Sequence, residues 1–180
     1  GTVEANIGTL SAFSGLAGRD LAGRISARLG GAGRMDLSGF DMTYDIAGTG
    51  IVAEGIPLNG ALTVRGDAQR DAAGVALSLA ATGPGGAAID LLTTLSDLTP
   101  DADLLGRLSA RVASLAPYSG LAGRDLSGTL SAELEGDGRL DLSALDLSFD
   151  LSGRDLGAGD LSLPGTIAAQ GQVNRQDNGA

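Results

Sequence analysis

Apolar and polar residues alternate along much of the 180-residue chain. Phe40, Met42, Tyr44 and Ile46 interleave with Asp41, Thr43, Asp45 and Ala47, and Leu145, Leu147, Phe149 and Leu151 with Asp146, Ser148, Asp150 and Ser152. Side chains two apart share one face of a strand, so each run predicts a strand with one apolar and one wet face, the habit of antiparallel sheets. Val75, Leu77, Leu79 and Ala81 form another such run. The phase slips between Leu37 and Phe40 and between Leu142 and Leu145, which a bulge or tight turn at Ser38-Gly39 and Ser143-Ala144 explains. Gly30 to Gly33, Glu135 to Gly138 and Thr82 to Gly86 read as the turns between strands. Thr99-Pro100-Asp101 has the residues of a helix start, yet Leu104 to Val112 follows the strand pattern. The prediction there is a strand from Gly106 to about Val112, with a turn or short helix around Thr99 to Leu104. Thr9 to Gly18 and Ser114 to Gly123 are compatible with short helical turns.

The same pattern recurs at long range. Ser14 to Gly48 and Ser119 to Gly153 align at an offset of 105 residues with 21 identities in 35 positions, and most differences keep apolar character. A shorter unit, Leu-x-Gly-x-apolar-x-small, begins at Leu21, Leu58, Leu104, Leu126 and Leu163. Its spacings are 37, 46, 22 and 37, and the first three sum to the long period. Residues 1–13 read as the tail of a preceding repeat, 14–118 as repeat one, and 119–180 as the partial start of repeat two. Together they form one continuous β array.

Composition removes whole classes of chemistry. Cysteine, histidine and tryptophan are absent, so no thiolate nucleophile, imidazole base, Cys/His zinc site or disulfide is available. The net charge is −10, and all 12 basic residues are arginine. Such a chain, with no basic block, is a poor match to nucleic acid. Gly31 to Asp36 and Gly136 to Asp141 resemble the calcium-binding nonapeptide, but the aspartate comes one place late and no nine-residue period exists; a glycine hairpin turn is the expectation. No phosphate-cradling glycine loop fits. The pairs Asp41/Asp45 and Asp146/Asp150 sit four apart on the polar side of a strand, where carboxylates keep a sheet soluble. Gly-Arg-Asp-Leu, at Gly18, Gly123 and Gly153, reads as a turn with a local Arg–Asp pair. No catalytic residue, cofactor or metal is expected, and the chain is not expected to be an enzyme. It begins at Gly1 without a methionine and has no signal peptide or apolar run near 18 residues, so any export signal or membrane anchor is expected outside this piece.

Ser-Gly-Leu-Ala-Gly-Arg-Asp-Leu-(Ala/Ser)-Gly followed by alternating strands, then Asp-Leu-Ser-x-x-Asp-Leu, resembles the repeats of TamB-type translocation and assembly module proteins of the AsmA-like superfamily. The resemblance runs from about Val3 to Val173 and rests on repeat texture. It implies an all-β, elongated antiparallel sheet, U-shaped in section (β-taco-like), with an apolar interior groove. Lining that groove would be Ile25, Ala27, Leu29, Phe40, Met42, Tyr44, Ile46, Leu62, Val64, Leu130, Ala132, Leu134, Leu145, Leu147, Phe149, Leu151, Ile167 and Ala169. The implied location is the periplasm, with an inner-membrane anchor absent from this fragment. The implied role is carrying phospholipid acyl chains between inner and outer membranes and supporting outer-membrane assembly, through a barrel-assembly partner met by regions outside the fragment. Two other classes stay open. One is a structural or adhesive β-repeat, solenoid or passenger-type, with a filled core; the other is a ligand-free repeat scaffold. An apolar face is more often sandwich core than conduit.

Overall fold

A computed structural model describes residues 1–17, 21–34, 38–53, 56–57 and 60–175. The strands are β1 (Thr2–Ile7), β2 (Leu21–Gly33), β3 (Phe40–Ala53), β4 (Ile56–Pro57), β5 (Ala61–Asp71), β6 (Gly74–Gly83), β7 (Ala87–Leu95), β8 (Asp103–Val112), β9 (Leu126–Arg139), β10 (Leu145–Ala158) and β11 (Leu161–Arg175). They make one open antiparallel sheet in which ten strands follow chain order from β1 to β11, with the two-residue β4 appended to β3. Every connection along the path therefore joins neighbours, which the alternating pattern and short turns favour. At Ala72-Ala73 the turn is held by the Asp71 carboxylate, whose Oδ1 accepts the Ala73 N–H at 2.7 Å. Two longer connections carry helical turns, at Leu10–Phe13 with α1 (Ser14–Ala17) and at Ala116–Tyr118 with α2 (Ser119–Ala122), where the sequence allows them. Gly123 ends α2 in the left-handed conformation.

The duplication is visible in the hydrogen-bond register. Ile25↔Gly48, Ala27↔Ile46 and Leu29↔Tyr44 pair β2 with β3, and Leu130↔Gly153, Ala132↔Leu151 and Leu134↔Phe149 pair β9 with β10 at the same offset of 105. The β1–β2 pairs Val3↔Leu29 and Ile7↔Ile25 reappear as Leu108↔Leu134 and Val112↔Leu130. The slips match too: one lies between Ala22 and Arg24, the other between Arg154 and Gly157. Each sits at the glycine of the Leu-x-Gly unit, where Gly23 has φ +115° and Gly128 φ +99°. A side chain at Gly128 would place its Cβ 2.6 Å from the Arg154 carbonyl oxygen. The extra residue lies on the neighbouring strand, β3 or β10, and the unit's glycine is the single residue that faces this bulge, where only a bare backbone fits.

Three expectations need correction. Gly30 to Gly33 and Glu135 to Gly138 are strand, not turns; β2 runs to Gly33 and β9 to Arg139. Their glycines lie opposite bulky partners, Gly31↔Met42 and Gly136↔Leu147, so the missing side chains make room across the ladder instead of bending the chain. β8 begins at Asp103, three residues earlier than expected, because Leu104 and Leu105 already pair with β7 and β9. Gly153-Arg154-Asp155-Leu156 lies inside β10 as a bulge with Asp155 at φ +50°, and the Asp155 carboxylate accepts the Gly165 N–H at 2.9 Å. The first Gly-Arg-Asp and Leu58 lie outside the described residues. The turns at Ser38-Gly39 and at Leu140 to Ala144 stand where the phase slips.

Candidate functional site

Directly opposed residues in a sheet lie on the same face, so the pairings trace rows across the strands. One row reads Ala5, Ala27, Ile46, Val64, Ala81, Ile89, Ala110, Ala132, Leu151 and Ala169, with one residue from each of the ten strands and no polar member. The row beside it reads Val3, Leu29, Tyr44, Gly66, Leu79, Leu91, Leu108, Leu134, Phe149 and Gly171. At strand spacings of about 4.8 Å, each row is about 43 Å long. Met42 and Leu147 belong to a third row on this face and Phe40 and Leu145 to a fourth. Ile25 and Leu62 flank Gly48, and Leu130 and Ile167 flank Gly153, on the other side of the first row. All eighteen residues expected on the apolar side therefore share one face of the sheet.

The expected lining omits residues that make the rows continuous: Val3, Ala5, Ile89, Leu91, Leu108 and Ala110, and also Leu79 and Ala81, which the alternation already marks as apolar strand positions. Alternation marks β6 plainly. In β7 and β8 it is masked by the consecutive leucines 91–92 and 104–105, only one of each pair belonging to this face.

Nothing described covers the apolar face. Ala102 and Pro84 are the only buried apolar side chains among the described residues, and both lie between strands. Ile46, Ile89 and Leu151, spread along the first row on β3, β7 and β10, stay 37%, 43% and 41% exposed. A filled sandwich would have buried them. The face is also kept shallow. Tyr44 lies across Gly66, its hydroxyl donating to the Ser78 carbonyl at 2.8 Å, and the Phe149 ring lies over Gly171, the same pair 105 residues on. An aromatic ring that folds over a glycine on the next strand shields the bare backbone there. Near the β10 end, a depression of about 430 Å³ is floored by Ala110, Ala132, Gly153 and Ala169 and walled by Val112, Leu130, Leu151, Leu156 and Ile167. At the border by β6 and β7, Tyr118 comes within 3.6 Å of where a Gly83 side chain would start, on the side of Leu62, and donates to the Pro84 carbonyl at 2.9 Å. The helical turn of residues 116–122 thus edges the apolar face.

The opposite face is charged and wet. Arg28–Glu4 at 3.2 Å, Arg65–Asp45 at 3.0 Å and Arg107–Glu135 at 2.8 Å are cross-strand ion pairs with exposed side chains. Glu135 raises the pKa of Arg107 further through its hydrogen bond. Asp45 is engaged by Arg65, while Asp146 and Asp150 accept from Asn174 and Gln170 at 3.0 and 2.6 Å, so these carboxylates join strands. In the turn after β9, the Ser143 N–H holds the Asp141 carboxyl below its usual range. A depression of about 560 Å³ lies on this face among Arg28, Asp45, Arg65, Asp67 and Asp90; its charges keep it hydrated. Among the described residues there is no cluster of three or more acidic groups placed to hold a metal, and no helix is long and apolar enough to cross a membrane. Compared with protein-family models, with curated proteins and with solved structures, the chain matches none.

Proposed function

We propose that this chain is a stretch of a periplasmic, bridge-like protein of the TamB type, on which phospholipid acyl chains travel between the inner and outer membranes in support of outer-membrane assembly. The observation that carries the reading is the ten-residue apolar row, uninterrupted across the sheet and uncovered. In this account the sheet curls into a U around that face, and the rows run along the resulting groove. Acyl chains lie along the rows while headgroups stay in water. Transfer follows from the hydrophobic effect alone: each methylene taken from water contributes about 0.8 kcal/mol, so about ten of them contribute about 8 kcal/mol if fully covered. Every strand offers an equivalent surface, so a chain can slide with little change in free energy. The residues require no acid–base, nucleophilic or metal chemistry for this, and the acidic outer face matches no nucleic acid. An inner-membrane anchor and contacts with an outer-membrane barrel-assembly partner would be supplied by other regions of the protein.

The reading predicts that the chain, purified from a bacterial periplasm, carries phospholipid. Native mass spectrometry should show adducts of phospholipid mass that disappear in an Ile89→Asp variant with an unchanged far-ultraviolet spectrum. A well-folded chain free of lipid would favour the ligand-free structural module.

A further inference from the structure

We propose that Leu92 and Leu105 form a docking surface on the charged face of the sheet, and that its occupant is a basic amphipathic helix of a partner protein. The two leucines are the members of the Leu91-Leu92 and Leu104-Leu105 pairs that turn away from the apolar face. An acyl-chain track makes no use of them. They stay 60% and 57% exposed, on a side of the sheet where leucine is out of place. Leu92 lies between Ser78 and Arg107, and Leu105 between Thr94 and Asp137, so the leucines are diagonal neighbours on β7 and β8. With Ala76 and Ser78 they line a depression of about 440 Å³. β6 and β9, which flank it, are themselves paired on both sides, so the surface is interior to the sheet and owes nothing to where the strands stop.

Charge and backbone chemistry select the occupant. Arg107, beside Leu92, is engaged by Glu135 at 2.8 Å and also feels Glu133. The Asp67 carboxylate accepts from the Ser78 hydroxyl. Asp90, two residues before Leu92, and Asp137, opposite Leu105, are exposed and have no basic partner among the described residues. The leucines are thus ringed by an excess of carboxylates. That ring repels a second copy of this chain, whose net charge is −10, and an anionic membrane surface; it attracts lysine and arginine. The interior of a sheet face offers no free backbone donors or acceptors, so the occupant must arrive with its own backbone satisfied, as a helix does. Aliphatic residues at helical spacing would cover Leu92 and Leu105, and basic residues on the borders of that stripe would meet Asp90 and Asp137. This inference does not depend on what the apolar face carries.

The probe is a synthetic helical peptide with a leucine stripe bordered by lysines, titrated into the chain and followed by fluorescence anisotropy. Saturable binding is expected, weakening as salt is raised. A photo-crosslinking residue at Thr94, beside Leu105, should capture the peptide in higher yield than one at Thr93, on the apolar side. A Leu92→Thr/Leu105→Thr chain of unchanged far-ultraviolet spectrum should bind about tenfold or more weakly, since threonine keeps the strand preference and removes the apolar surface. If that variant fails to fold, Leu105→Thr makes the same test with a smaller loss. An Asp90→Asn/Asp137→Asn chain should bind about threefold more weakly and respond less to salt. A peptide with glutamate in place of every lysine should not bind. Absence of binding, binding indifferent to the leucine substitutions, or higher capture at Thr93 would overturn the proposal. So would self-association, or adhesion to phosphatidylglycerol vesicles, that the leucine substitutions abolish, since a second copy or a membrane would then be the occupant.

Discussion

Leu147→Asp, placed in the full-length protein, should leave the sheet folded and remove lipid from it. Leu147 lies on the apolar face between Gly136 and Val173. With that face open to water, the new carboxylate stays hydrated, and the cost to folding is that of a lost half-buried leucine, about 1–2 kcal/mol. With acyl chains on the face, the same carboxylate must be stripped of water without a partner, which is far more expensive. The asymmetry between these two costs is the test. Lipid crosslinking should fall by at least about a hundredfold, equivalent to about 2.7 kcal/mol against the lipid-bound state, and the outer membrane should become permeable to large antibiotics. Circular dichroism and thermal melting of the purified variant separate this outcome from misfolding. A folded variant that binds lipid as well as the unaltered protein would end the conduit reading.

The second large effect is on the backbone. Gly128→Val should destabilise the chain by about 2–3 kcal/mol, lowering the melting temperature by about 5–10 °C. Gly128 holds φ at +99°, a conformation closed to a β-branched residue, and a Cβ there would press on the carbonyl oxygens of Arg154 and Asp155 at 2.6 and 2.7 Å. Valine can be accommodated only by straightening the bulge. Removing the bulge shifts the phase on one side of it, and a one-residue shift exchanges the apolar and polar faces there. Gly106 occupies the equivalent place in its Leu-x-Gly unit without a positive φ, and its Cβ would meet the Thr93 hydroxyl at 3.5 Å, an ordinary contact. Gly106→Val should therefore cost much less. Equal melting temperatures for the two variants would show that the bulge does not set the register.

These glycines mark the boundary of what a sequence can disclose here. Alternation at Phe40 to Ile46 and Leu145 to Leu151 is a local signal, and the 105-residue repetition supplies a second, independent reading of the same strands. Facing and register follow from those two together. Glycine carries no such signal. Gly31 and Gly136 look like turn residues because glycine is common in turns, and only the pairing with Met42 and Leu147 shows them to be strand positions left bare beneath a neighbour's side chain. The glycines that face the bulges, Gly23 and Gly128, appear in the sequence as a repeated punctuation mark whose meaning emerges only from the extra residue in β3 and β10 opposite them. The candidate site was legible in its members but not in its extent. Eighteen residues were marked by alternation within strands; their alignment into rows depends on which strands are neighbours, and the Leu91-Leu92 and Leu104-Leu105 pairs concealed the central part of each row.

The most direct test of the account exploits two adjacent residues on β10. Leu151 belongs to the ten-residue apolar row, and Asp150, one peptide earlier, projects to the other face and accepts from Gln170. A photo-crosslinking amino acid at each position, in the full-length protein in living cells, samples the two faces at the same place along the sheet. The account predicts a phospholipid adduct at position 151 and none at position 150. Lipid adducts of equal yield at both positions, or a protein adduct in place of lipid at 151, would contradict it.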